Sequence, residues 1–231
     1  MNTESKKWYK QWWAIILMSI ALIFLIYGVT FLSYYFIFWQ KLKSGEMPLP
    51  EELLGDNVQY EATSDKAYFL GAQKPQLTIV QFSDFTCSIC KETFPTMRMI
   101  GEEYKDSVKI MHRDFPLSEN SLYFALAAQC AGEQGYFWQM HDKMFQEQGN
   151  FEPEQLNVLA RQIGLDSIKF LKCMEEEKYL DNIRQDFSDA ERLGVQGTPT
   201  WFIDGHRAAG NIPYETLKQI IENLLEEKNV E

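Results

Sequence analysis

From Gln11 to Gln40 the chain carries no charged side chain, and Ala14 to Phe38 reads AIILMSIALIFLIYGVTFLSYYFIF. As a helix this run would be about 37 Å long, more than the roughly 30 Å of hydrocarbon in a bilayer. Trp8, Trp12 and Trp13 stand at one end, and Tyr34, Tyr35 and Trp39 at the other, where amphipathic rings favour the membrane–water boundary. A core helix of a soluble protein would show a polar face, and this run has none. The apolar region of a cleaved signal peptide is only about 7–15 residues and ends on small residues. This run closes on Tyr, Phe and Trp, so the reading is a retained single-pass anchor within residues 1–40.

Charge orients that anchor. Lys6, Lys7 and Lys10 precede the span, and Lys41 and Lys43 follow it; the excess of cations at the front favours a cytoplasmic N-terminus. The remainder should then lie outside the cytoplasmic membrane, where disulfides persist. Residues 1–43 hold five lysines and one glutamate, so the rest of the chain, against a total of −11, carries −15. That acidity argues against nucleic acid as a partner, since phosphate binding needs a basic face.

Residues 41–66 hold Gly45, Pro48, Pro50 and Gly55 among charges and read as a linker. Leu77–Phe82, LTIVQF, reads as a buried strand. The segment after Cys87 has helical periodicity interrupted by Pro95, and Val108–Leu117 reads as a second strand. This is a βαβ unit. From Ser121 to about Leu193 the pattern is helical, with breaks near Gly132–Gly135, Gly149–Pro153 and Gly164. Strand character returns in Thr198–Gly205, and an amphipathic helix from about Pro213 to Glu227 closes the chain. The terminal strands need each other to form a sheet, so the expected architecture is α/β with an inserted helical subdomain at about 119–192.

Between the first strand and the first helix stands FSDFTCSICKETFP. Cys87 falls at the helix N-terminus, where unpaired N–H groups and the macrodipole favour a thiolate. Cys90 lies about one turn on, near enough to close a disulfide. Strand, Cys-x-x-Cys, helix is thus the order that thiol–disulfide exchange uses. A zinc site needs two further soft ligands at matching spacing. Cys130, Cys173, His112, His141 and His206 are scattered singly, so no metal is expected. Two inert buried cysteines are the remaining reading.

Taken with AAQCAGEQGYFWQMHDKMF and RLGVQGTPTWFIDG, the segment LTIVQFSDFTCSIC resembles the DsbA-like thiol:disulfide oxidoreductases of the thioredoxin superfamily. The likeness runs from about Tyr68 to the C-terminus. It implies a thioredoxin fold over residues 67–231 with the helical subdomain inserted, behind the single transmembrane helix. It implies that Cys87 is the nucleophile forming mixed disulfides and that Cys90 resolves them. It also implies that Thr198–Pro199 is a cis peptide facing the cysteines, with the Thr198 main chain pairing to substrate. Cis is inexpensive only at X–Pro bonds; a strand-entry proline is the plain alternative. Pro95 would be the family's helix kink.

Two positions depart from the family pattern. Where members commonly bury an acid six residues before the first cysteine, this chain has Gln81, which accepts no proton; Asp84 is the candidate relay in its place. The dipeptide between the cysteines is Ser88–Ile89, without the histidine of the most oxidising members, so a less extreme oxidant is expected.

Cys130 and Cys173, 43 positions apart, are expected to form a structural disulfide, with free buried thiols as the alternative. His141 and Trp138 fall on helical spacing and read as packing. The runs EEEK and LLEEK read as solvated helix faces. Phe82, Phe85, Phe94, Trp201 and Phe202 read mainly as core, some of them as an apolar collar for unfolded substrates. The expected function is a membrane-tethered oxidoreductase that introduces disulfides into cysteine-bearing extracytoplasmic proteins and is reoxidised by a quinone-linked membrane partner, with no dissolved cofactor. A reductase or isomerase using the same pair, or a non-catalytic tethered binding or chaperone module, are the alternatives.

Overall fold

The computed structural model describes residues 5–44 and 58–230. Gly45, Pro48, Pro50 and Gly55 of the linker lie outside those residues, and so do the side chains of Trp8 and Trp39. Residues 1–48 and 49–231 form separate compact units. The first unit is the helix α1, Ser5–Ser44. Its stretch Ile15–Phe36 is 22 residues of apolar sequence with nothing buried. A helix apolar all round with every face exposed is one suited to a membrane.

The second unit is built on five strands: β1 (Tyr68–Gly71), β2 (Leu77–Ser83), β3 (Val108–Asp114), β4 (Thr200–Ile203) and β5 (His206–Ala209). Their order across the sheet is β1-β3-β2-β4-β5. β2 and β3 run parallel, joined through helix α2 (Ser88–Glu103), while the other pairings are antiparallel. This is the sheet of the thioredoxin fold. Strand β1 is absent from the sequence reading, because four half-buried residues, Tyr-Phe-Leu-Gly, are too few to show an alternation. β3 also ends at Asp114, three residues short of the expected Leu117.

Side chains alternate across the sheet with the period of two that strands impose. Ile79, Ile110, Trp201 and Ile203 face one side, where they pack with Met97 and Ile100 of α2 and with Leu217, Ile220 and Ile221 of the final helix α8 (Tyr214–Val230). Val80, Phe82, Met111 and Phe202 face the other, against Ala190 and Val195. Each such fully buried aliphatic side chain contributes about 1.5–3 kcal/mol relative to exposure.

Five helices intervene between β3 and β4: α3 (Glu119–Gly132), α4 (Phe137–Gln146), α5 (Leu156–Gln162), α6 (Ser167–Glu175) and α7 (Leu180–Arg192). They enclose a second core of Ala, Phe, Met and Leu side chains that reaches Phe85 and Cys90. Cys130 on α3 and Cys173 on α6 are joined by a disulfide, their Cα atoms 5.8 Å apart. The buried Arg113 ties α7 to the sheet: its guanidinium donates to Asp186 at 2.7 and 2.9 Å and to the Ala62 carbonyl at 3.1 Å. The run EEEK is not a helix face. α6 stops at Glu175, and Glu177 turns the chain with φ +47°. LLEEK does lie within α8.

Candidate active site

Strand β2 delivers the chain to the N-terminus of α2 through Asp84, Phe85 and Thr86. Asp84 is buried and sets this turn. Its carboxylate accepts from the Thr86 main-chain N–H at 2.6 Å and hydroxyl at 2.8 Å, and from the Leu117 N–H at 2.8 Å. Its carbonyl accepts from the Cys87 N–H at 3.1 Å. Both oxygens of the expected proton relay are therefore engaged in holding two loops together.

Cys87 is the N-cap of α2, with φ −76° and ψ 121°. Its sulfur takes the place of a capping oxygen: Sγ accepts from the Cys90 N–H at 3.4 Å, one of the donors that a helix start leaves unpaired. The same sulfur, as a thiol, donates to the Thr198 carbonyl at 3.2 Å. The Thr198–Pro199 peptide bond is cis. Thr200 holds that loop, donating from Oγ1 to the Gly197 carbonyl at 2.7 Å, and the Gly210 N–H donates to the Pro199 carbonyl at 2.9 Å. Beside it opens a groove of about 370 Å³ lined by Gln196, Thr198, Pro199 and Arg207. The fold thus brings Cys87, Cys90, Thr198 and Pro199 to one place from segments more than a hundred residues apart in the chain.

The two thiols are free and unlike one another. Cys87 is half-buried, whereas Cys90 is 1% exposed. Burial pushes the Cys90 thiol up to about 12, and the nearby Cys87 adds to that. The Asp84 main chain and the hydroxyls of Ser83 and Thr198 face its sulfur and pull the other way. Those two hydroxyls are buried with no other hydrogen-bond partner, so a thiolate at Cys90 is the acceptor they lack.

Gln81 is buried on β2 beneath α2. Its amide donates to Thr93 Oγ1 at 3.5 Å, and Thr93 donates to the Cys90 carbonyl at 3.1 Å. The residue thus supports the helix turn that carries Cys90 but offers no acid. Phe82, Phe85, Trp201 and Phe202 are all at most 2% exposed and are core; of the proposed collar only Phe94 reaches the surface in part. Ile89, between the cysteines, is 41% exposed and supplies apolar surface there. His141 and Trp138 are packing residues. His141 is fully buried with Nδ1 2.9 Å from Asp142, and Trp138 donates to the Phe69 carbonyl at 3.1 Å.

Two residues near the cysteines carry no sequence signal of their own. Lys91 follows Cys90 on α2, and Gln148 comes from the loop after α4. The Gln148 amide donates to the carbonyls of Phe85 and Cys87. A polar residue in QEQGN reads only as loop; nothing but the folded chain places it here.

An accessible sulfur capping a helix, a buried sulfur one turn behind it and a main-chain carbonyl beside a cis proline make an arrangement suited to thiol–disulfide exchange. Residues 63–223 match the thioredoxin family model. Among solved structures, a periplasmic thioredoxin-like protein from Salmonella enterica serovar Typhimurium is 26% identical with a TM-score of 0.61, covering 71% of this chain and 92% of that one. The fold is also shared with the thiol-disulfide exchange protein alpha-DsbA2 from Wolbachia pipientis, at 23% identity and TM-score 0.63, over 70% of this chain and 88% of that one. A curated relative, the Na(+)/H(+) antiporter NhaA 1 of Salinispora arenicola, is 30% identical over 160 residues, which are 68% of this chain and 24% of the relative. The chain thus spans about a quarter of the length of the curated relatives it matches. With the family model covering most of the chain and this sheet and helical insertion, the chain belongs to the thioredoxin family, and its fold is that of the DsbA-like thiol:disulfide oxidoreductases.

Proposed function

We propose that this chain is a membrane-tethered thiol:disulfide oxidoreductase that introduces disulfides into extracytoplasmic proteins through Cys87 and Cys90. The observation that carries the reading is the half-exposed Cys87 sulfur, capping α2 and 3.2 Å from the Thr198 carbonyl beside the cis proline. In the oxidised form a substrate thiolate attacks Cys87 Sγ. The new sulfur–sulfur bond forms there, the Cys87–Cys90 bond breaks, and Cys90 leaves as a thiolate. Attack is directed to Cys87 because Cys90 is out of reach in the core. The departing charge meets the Ser83 and Thr198 hydroxyls and the Asp84 main chain. A second substrate thiolate then attacks the substrate sulfur of the mixed disulfide and releases Cys87, leaving both electrons on the pair. The main chain of Thr198 pairs with the extended substrate segment in the groove. A quinone-linked membrane partner withdraws the two electrons and restores the disulfide. The apolar helix α1 supports the tether, and the lysines ahead of it support an extracytoplasmic domain.

Equilibrating the full chain in detergent against glutathione buffers tests this. The pair should interconvert reversibly at a potential at or above the poise of the compartment, and Cys87→Ser should abolish both exchange and disulfide acquisition by exported clients. A potential far below that poise would make the chain a reductase, and normal client oxidation with Cys87→Ser would remove the enzymatic reading.

A further inference from the structure

The helical insertion makes hydrogen bonds to the active-site turn through Gln148. Gln148 stands two residues past the end of α4, and its carboxamide nitrogen donates to the Phe85 carbonyl at 2.8 Å and to the Cys87 carbonyl at 3.0 Å. Both protons of the amide are thereby used. In return the Lys91 ammonium, on α2, donates to the Gln148 main-chain carbonyl at 3.2 Å. Three hydrogen bonds thus join the insertion loop to the turn that carries the nucleophile.

The loop is braced for this. Gly149 follows with φ +87°, a left-handed conformation that side-chain-bearing residues rarely adopt, and reverses the chain directly after Gln148. Phe145, one turn back, lies 5.0 Å from Phe85 and is stacked on Phe94 at 5.5 Å between ring centroids. Apolar packing therefore fixes the root of the loop against the same elements that its amide binds.

The two carbonyls flank Thr86 and the backbone of Cys87. The Cys87 carbonyl is also the first acceptor of α2, taking the Lys91 N–H at 3.1 Å. Holding both carbonyls holds the N-cap conformation, and with it the contacts of Cys87 Sγ to the Cys90 N–H and the Thr198 carbonyl. The sulfur must be presented to substrate before and after its bond to Cys90 is broken. A backbone pinned from outside the redox loop keeps it there at no reorganisation cost during the reaction.

We propose that Gln148 is a positioning residue for the exchange reaction: its carboxamide, supplied by the helical insertion, fixes the Cys87 backbone in the geometry that presents its sulfur to substrate. This rests on the exchange activity proposed above. Its test is single-turnover oxidation of a dithiol peptide by the oxidised full chain in detergent, for wild type, Gln148→Ala and Gln148→Glu. Glutamate keeps the shape but replaces both donors with acceptors facing carbonyls. The rate at saturating peptide should fall roughly five- to a hundredfold in Gln148→Ala, the worth of the two ordinary hydrogen bonds it loses, and at least as far in Gln148→Glu. The half-saturating peptide concentration should not change, which separates positioning from substrate binding. Variants that turn over at the wild-type rate overturn the inference while leaving the activity intact. A wild-type chain that does not exchange at all overturns the activity itself.

Discussion

Cys87 and Cys90 share one covalent chemistry and differ only in what surrounds them. Burial holds the Cys90 thiol at about 12 even with the Asp84 main chain and the Ser83 and Thr198 hydroxyls pulling it down, so at neutral pH the resting group bears its proton. The usual buried acid is replaced by Gln81, whose amide is spent on Thr93. In the proposed exchange, Ser83, Thr198 and the Asp84 main chain are consequently the groups that meet the leaving sulfur. Titration elsewhere in the same core has a measurable consequence. His141 is fully buried and lowered from 6.5 to about 4, chiefly by burial, with the neighbouring His112 and Arg98 contributing and Asp142 opposing them. The unfolded chain therefore takes up this proton first as pH falls. The contribution to stability is complete above about pH 6.5 and is lost progressively down to about pH 4, on the order of 3 kcal/mol in all. Urea unfolding at pH 7 and pH 5 should show the loss, and His141→Gln should flatten the dependence by about one proton; a parallel slope in the variant would contradict the assignment. The position of Cys87 at a helix start was legible from a short local motif, and the cis bond at Thr198–Pro199 from the family resemblance. Gln148 was not, because only tertiary approach gives a loop glutamine a partner.

Among elements, α2 was legible from its spacing of Cys90, Thr93, Met97 and Ile100, which puts one face into the core, and the helix runs unbroken through Pro95. β1 was not legible, since its pairing with β3, Tyr68 opposite His112, comes from the partner strand rather than from its own pattern. The α6–α7 boundary was missed for a related reason: the left-handed turn is made at Glu177, not at a glycine. The insertion has a staple of its own in Cys130–Cys173, which closes a 43-residue separation within a buried cluster. Replacing both with alanine should cost about 2–4 kcal/mol, read as a lower denaturant midpoint. Exchange at Cys87–Cys90 should persist under native conditions, because the staple lies outside the reacting pair. An unchanged midpoint would show that the helices need no such link.

For the whole molecule, the apolar helix α1 and the acidic second unit differ in kind: one is suited to a bilayer, the other has the thioredoxin fold and holds the site proposed for exchange. In the proposed function the tether would confine exchange to one side of a membrane, near a membrane-bound oxidant. The division between the two was legible from the charge-free stretch alone, since few environments accept so long an apolar helix with no polar face. Trapping tests the central claim most directly. Cys90→Ser in the full-length chain leaves a lone Cys87 thiolate that attacks a client disulfide, releasing one client thiol, in the reverse of the oxidising step, and removes the thiol that would expel the client from Cys87 again. In cells, it should accumulate reductant-sensitive adducts at Cys87 with cysteine-bearing exported proteins, absent when Cys87 is also serine. No adducts, or adducts confined to cytosolic proteins, would contradict an exchange site held outside the membrane.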